Sequence, residues 1–337
     1  MLGSGACIPQ GIASHALNVH GQTQRSHSPD RLLGKTSRPP GRNHLGNSRA
    51  ILFMVLSMAA FSVADALVKF ASQAIKPGQF IAVTSAALFV IFFILLRRNG
   101  ERFFSREALE PAMLVRTISE VIGTTGIVMA LTVSPLSTVT VLGQAMPLVV
   151  MVGAALFLNE TIGWRRWFAA GLGLAGVLLI LRPGAATFDP GLLWVILYVL
   201  GLGTRDLASR KLPARISTPF AVAWSMLPLV VVGLIMMSFQ SGWQPVGGVS
   251  AIYLGAFIIM TSGAVALITV AMRIGEVSAV APFRYTRILF GLLIAVAVFD
   301  EDLDAITFLG AALIAGSGLY AFWRERRVQT ARPDAYE

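Results

Sequence analysis

Ten apolar stretches follow one another along this chain, at 50–71, 79–96, 111–133, 136–158, 167–181, 190–209, 218–238, 249–272, 279–299 and 305–323. A single such run fits a buried core helix as well as a membrane span. Ten in succession do not, because only 13% of the 337 residues are charged, against about a quarter in an ordinary soluble domain. With a mean hydropathy of +0.71, the apolar surface must face lipid. A lipid-spanning helix needs roughly 20 residues, so the runs predict ten spans. The fifth is short, and Trp164 and Trp167 place its start in the interface. Turn signals such as Lys76-Pro77-Gly78, Ser134-Pro135 and Arg182-Pro183-Gly184 separate the runs, and no large soluble domain fits between them.

The two halves superimpose at a separation of 141 residues: Asp65 and Lys69 recur as Asp206 and Arg210, and Asn159-Glu160 recurs as Asp300-Glu301. Each half holds five spans. An odd number makes the second half enter the bilayer from the opposite side, the inverted duplication of alternating-access carriers. The expected fold is therefore an all-α integral membrane protein of ten transmembrane helices in two inverted five-helix repeats, 50–182 and 190–325.

Basic residues set the expected orientation. Starting inside, the inner loops carry Arg97, Arg98, Arg102, Arg106, Arg165, Arg166, Arg210, Lys211, Arg215, Arg273, Arg324, Arg326 and Arg327, whereas the outer loops carry Lys76, Arg182 and the acidic Asp300-Glu301-Asp302. That bias puts both termini, including a tail at 326–337, in the cytoplasm. It also explains the net charge of +10 without a nucleic-acid partner. Residues 1–49 are basic, rich in Pro and Gly and lack the apolar core of a secretory signal, so they read either as a disordered tail or as an over-extended start.

Ionisable groups inside spans mark candidate sites, because they are expensive in hydrocarbon and face a bundle interior or a wet cavity. Asp65 and Lys69 share a face of the first span, and Asp206 and Arg210 do so in the sixth. They read either as gate or substrate contacts or as ion pairs holding neighbouring helices, with snorkelling sufficient for Arg210. Arg116 and Glu120 form another i, i+4 pair in the third span. Neither recurs in the second half, where Phe257 and Thr261 stand, nor does Gln144, matched by Tyr285. That asymmetry points to substrate, and Glu120 is the internal candidate for proton coupling. Arg284 and Arg287 lie one turn apart in the ninth span and need an answering anion, from Glu120, Asp206 or the substrate. Tyr285 between them offers a ring to a planar solute. Structural roles fall to Pro147, expected to kink the fourth span, and to Glu160 and Glu301, placed to accept hydrogen bonds from the first turns of following helices. Glycines 171, 173, 176, 310, 316 and 318 allow close helix approach in a scaffold or a dimer surface.

Enzymatic motifs are missing. No Walker sequence is present, all four histidines lie within 1–49, and Cys7 is the lone cysteine, so no catalytic set, metal site or cofactor is expected.

The run Ser134-Pro135-Leu136-Ser137 through Pro147 to Leu158-Asn159-Glu160, the helix Gly171 to Arg182, and the later run Ala279-Val280-Ala281-Pro282 through Phe299-Asp300-Glu301 to Gly310–Gly318 together resemble the EamA-domain family of the drug/metabolite transporter superfamily. The resemblance covers about 50–325 as two domains. In that family Gly usually precedes the glutamate, where this chain has Asn159 and Asp300. The resemblance implies a bacterial inner-membrane secondary carrier with a central cavity between the halves. The segment Pro282-Phe283-Arg284-Tyr285-Thr286-Arg287 is similar to a branch with riboflavin and S-adenosylmethionine carriers. Riboflavin uptake is the leading expectation; an S-adenosylmethionine carrier or an amino-acid or drug exporter is the alternative, and a non-transport scaffold the rival of another class.

Overall fold

The computed structural model describes residues 41–157, 163–181, 191–240, 242–275 and 280–331. Three helices open the chain: α1 Gly41–Ala71, α2 Pro77–Arg98 and α3 Pro111–Val133. The fourth span is interrupted, as α4 Leu136–Gly143 and α5 Met146–Phe157, and α6 Trp164–Leu181 closes the first half. The second half comprises α7 Leu192–Arg210, α8 Thr218–Phe239, α9 Gly248–Ile274, a 3₁₀ turn Ala281–Tyr285 leading into α10 Thr286–Phe299, and α11 Ala305–Ala331. With interrupted spans taken whole, eight are long and apolar enough to cross a bilayer among the described residues. Two shorter apolar helices, Trp167–Leu181 and Ala305–Tyr320, bring the number to ten.

Several boundaries have plain causes. Pro77, Pro111 and Pro219 stand in the first turns of their helices, where a missing N–H costs nothing. Ser217 caps α8 by accepting from the Phe220 amide at 3.2 Å. The first helix begins at Gly41, ahead of the apolar run, because an established hydrogen-bond ladder extends readily into polar sequence.

Helices pair across the repeats. α1 packs on α9 while α3 packs on α7, α2 lies against α8, and α6 against α11. Each pairing maps onto itself or onto another when the halves are exchanged, which is the signature of a pseudo-twofold axis. The loops show the inversion. The start of α2 meets the loop after α8, where Gln79 Nε2 donates to the Gln244 carbonyl at 2.8 Å and Gln79 Oε1 accepts from the Gln244 amide at 3.0 Å. On the other face the loop after α2 meets the loop after α7, with Ser217 donating to Glu101 at 2.5 Å and Arg215 paired with Glu110. Loops with the same place in the two repeats therefore lie on opposite faces.

Small residues set the closeness of these pairs. A Cβ on Gly201 would lie 2.5 Å from the Gly123 amide nitrogen, and one on Gly233 would lie 2.5 Å from that of Ala82. Gly176 and Gly310 face each other between α6 and α11, so this glycine contact is made within the chain and supplies no dimer surface. Gly171 and Gly316 face open space instead of a helix.

Both interrupted spans break at the same place in the repeat. The fourth breaks at Gln144-Ala145, and the 141-residue offset carries those positions to Tyr285-Thr286, where the 3₁₀ turn gives way to α10. Pro147 thus sits in the first turn of α5 instead of kinking a continuous helix. Its missing donor has moved the discontinuity upstream, where Gln144 and Ala145 make tight bonds to the Val141 and Leu142 carbonyls.

Candidate functional site

Among the described residues the bundle interior holds four arginines, Arg116, Arg205, Arg284 and Arg287, and three acids, Asp65, Glu120 and Asp206, in two groups. In the first, Arg287, in the opening turn of α10, donates to Asp65 on α1 at 2.6 Å. The same guanidinium lies 5.4 Å from the centre of the Phe61 ring, and Tyr198 of α7 stands beside it. The pair ties the second repeat's broken span to the first repeat's leading helix.

The second group is a ladder. Arg116 stands 3.6 Å from Glu120, Glu120 is 3.2 Å from Arg205, Arg205 is 2.7 Å from Asp206, and Asp206 is 3.8 Å from Arg284. Arg116 is fixed from behind by α8, donating to the Ala221 carbonyl at 2.9 Å and to Ser225 Oγ at 2.5 Å. Thr124 donates to Glu120 at 3.3 Å. Buried charges persist only where partners answer them, and answers weaken along the ladder. Arg116 is 9% exposed, Arg205 26% and Arg284 40%, and the Arg284 ion pair is the longest of the series.

Asp65 and Lys69, which share a face of α1, go to different partners. Lys69 reaches Glu301 at 3.5 Å and donates to the Ser134 carbonyl at 2.9 Å. Glu301 accepts from the Leu136 amide at 2.6 Å, the Ser137 amide at 3.0 Å and Ser137 Oγ at 2.6 Å. It therefore caps α4 of the other repeat and not the helix that follows it. Asp304 serves α11, accepting from the Thr307 amide at 2.9 Å. Asp300 supplies the turn that aims Glu301, with φ 49° in the left-handed region. Glycine, asparagine and aspartate enter that region most readily, which accounts for Asp300 where the family has glycine. Glu160 and its neighbour Asn159 lie outside the described residues.

The remaining expected positions are placed as follows. Gln144 is buried at the break in the fourth span. The Tyr285 hydroxyl abuts Gly318 of α11 and has no hydrogen-bond partner among the described residues. Arg210 is exposed at the end of α7, while Lys211 donates to the Phe157 carbonyl at 3.2 Å. Arg284 and Arg287 do not share one anion, since Asp206 answers the first and Asp65 the second. Arg205 finds a partner on another helix in Glu120, and it also turns back on its neighbour Asp206. Tyr198 carries no formal charge to mark it in the sequence, although it lies seven residues before Arg205 and so on the same helical face.

Two clefts enter from opposite faces. One of about 340 Å³ is lined by Lys69, Thr132, Ser134, Phe299 and Glu301. The other, of about 250 Å³, is lined by Arg116, Ser209, Pro213, Ser217 and Ala221, on the arginine-rich face. The ladder touches the second cleft at Arg116, and neither cleft is lined by Arg284 or Glu120. Among the described residues no group of three His, Cys, Asp or Glu side chains is placed to hold a metal ion.

A model of the EamA-like transporter family matches residues 48–182 and again 189–322. The chain belongs to the EamA-like transporter family. It is accordingly a multi-pass membrane transporter of small metabolites and not an enzyme. An S-adenosylmethionine uptake transporter of Rickettsia prowazekii is 24% identical over 85% of this chain and 96% of its own. A riboflavin transporter of Rhizobium johnstonii is 26% identical over 83% and 94%, and a pseudopaline exporter of Pseudomonas aeruginosa is 26% identical over 78% and 92%. A solved crystal structure shares the fold, with TM-score 0.60 at 19% identity over 84% of this chain and 99% of that one.

Proposed function

We propose that this EamA-like protein moves a small organic metabolite bearing an α-amino-acid group across the bacterial inner membrane by alternating access, with S-adenosylmethionine as the leading substrate. Arg284 carries the reading. It is the most exposed interior arginine, 3.8 Å from its carboxylate, at the mouth of the second repeat's broken span. A guanidinium so placed binds a carboxylate with two parallel hydrogen bonds at little cost to existing contacts. As the substrate carboxylate takes Arg284, the substrate's ammonium or sulfonium replaces that arginine beside Asp206. The exchange leaves no charge unanswered, which a low-dielectric interior demands.

Riboflavin has neither group. It would meet these arginines through neutral acceptors, which make bonds roughly half as strong as charge-assisted ones. Its transporters are nevertheless relatives at equal identity, so riboflavin belongs in the test. The inverted repeat supports alternating access, and the arginine-rich face, read as cytoplasmic, puts both termini inside.

The test is uptake into proteoliposomes of S-adenosylmethionine, riboflavin and L-methionine. S-adenosylmethionine should enter and be competed by L-methionine, and Arg284→Lys should lower its kcat/KM by about tenfold or more, because lysine lacks the planar fork. Riboflavin uptake without S-adenosylmethionine uptake defeats the substrate assignment. Normal transport by Arg284→Lys at normal abundance defeats the role of Arg284. No uptake of any compound favours a scaffold.

A further inference from the structure

We propose that Asp65 is a proton-coupling carboxylate, which takes a proton when the substrate's carboxylate displaces it from Arg287. The inference rests on the proposed α-amino-acid substrate and adds an energy source to it.

The interior acids differ in how many cations hold them. Glu120, the acid that burial alone would nominate, faces two guanidiniums, Arg116 at 3.6 Å and Arg205 at 3.2 Å. Asp206 also faces two, and Glu301 is held by Lys69, two amides and a hydroxyl. Protonating any of these strands several donors in a low-dielectric region, where each lost charge-assisted bond is costly. Asp65 is bonded to Arg287 alone among the contacts described, at 2.6 Å. Neutralising it frees one guanidinium, and Arg287 lies one turn from Arg284, where a substrate carboxylate would sit. Arg287 Nε, buried and unpartnered among the described residues, is a donor already waiting for an acceptor.

The surroundings of α1 leave Asp65 no rival group. On α10 the titratable side chain is Arg287, and the preceding turn adds Arg284 and Tyr285. On α3 stand Arg116 and Glu120, bound to each other. Tyr253 and Arg273 lie near the two ends of α9, and α4 has no titratable residue. Tyr198, beside the pair from α7, offers a hydroxyl. Lys69, one turn along α1 from Asp65, lines the 340 Å³ cleft that opens to one face.

The step balances. Before it, the Asp65 carboxylate neutralises the Arg287 guanidinium. After it, the substrate carboxylate bridges Arg284 and Arg287, the substrate's cationic group stands beside Asp206 in place of Arg284, Asp65 carries one proton drawn from water, the site gains that proton's single positive charge, and no covalent bond to carbon changes. Return of Asp65 to Arg287 on the other side releases proton and substrate together.

The experiment measures proton uptake on adding S-adenosylmethionine to purified protein in weakly buffered detergent with a pH-sensitive dye. Wild type should take up about one proton per substrate bound, and its Kd should rise about tenfold per pH unit above the titration of Asp65. Asp65→Asn should bind with no proton uptake and a flat pH dependence, and Asp65→Glu should restore both. S-adenosylmethionine binding by wild type without proton uptake overturns the coupling alone, as does proton uptake that persists in Asp65→Asn. The wild-type stoichiometry decides the matter even if Asp65→Asn does not fold. A protein that binds neither S-adenosylmethionine nor L-methionine overturns the substrate reading and this inference with it.

Discussion

Replacing Glu301 should loosen the bundle more than any other change at its surface. One carboxylate, 13% exposed, accepts two amides and a hydroxyl at the start of α4 and pairs with Lys69. Loss of a helix cap costs about 1 kcal/mol. The second amide and the Ser137 hydroxyl, beyond the single amide of an ordinary cap, are also left without their acceptor at a part-buried site, which adds about 1–2 kcal/mol after relaxation and water entry. The ion pair with Lys69, itself 22% exposed, adds up to about 1 kcal/mol. Glu301→Ala should therefore destabilise by about 3 kcal/mol. Glu301→Gln, which keeps one acceptor oxygen but turns a donor toward the amides, should lose about half as much, and Lys69→Met about 1 kcal/mol. The assay is unfolding of purified protein in mixed micelles titrated with a denaturing detergent, followed by helical circular dichroism. A Glu301→Ala curve superimposable on wild type would refute the argument, and so would a Lys69→Met loss exceeding that of Glu301→Ala.

Gly201→Val should abolish assembly of α3 against α7, since even a Cβ there lies 2.5 Å from backbone of Gly123; membrane abundance and a monodisperse elution profile report it, and wild-type values for both would contradict the packing. Single cysteines at Phe70 and Lys211, in repeat-equivalent positions, should label from opposite sides of the membrane with an impermeant thiol reagent, and labelling of both from one side would end the inverted-repeat description.

The halves, the ten spans and the fourth and ninth spans as special segments are legible along the chain, because lipid exposure writes itself into hydropathy and a duplication into spacing. The pairing of charges is less so. Asp65 and Lys69 share a helical face, and spacing alone treats them as one unit; the structure sends them to Arg287 and Glu301, both in the other repeat. The reason is that α1 is packed on α9, α10 and α3 together, so neighbouring turns of one face meet different helices. Glu301 shows the same limit. Its place after an apolar run marks it as a cap, yet the left-handed turn at Asp300 directs it across the repeat boundary.

Local chemistry by itself determined that this chain crosses the membrane in two upside-down halves and that arginines and acids stand inside. Partner choice among those charges belonged to the tertiary structure, since an ion pair forms where helix packing brings side chains within a few ångströms, and the linear order of residues does not encode that distance. The same packing leaves Asp65 bound to one guanidinium and Glu120 to two.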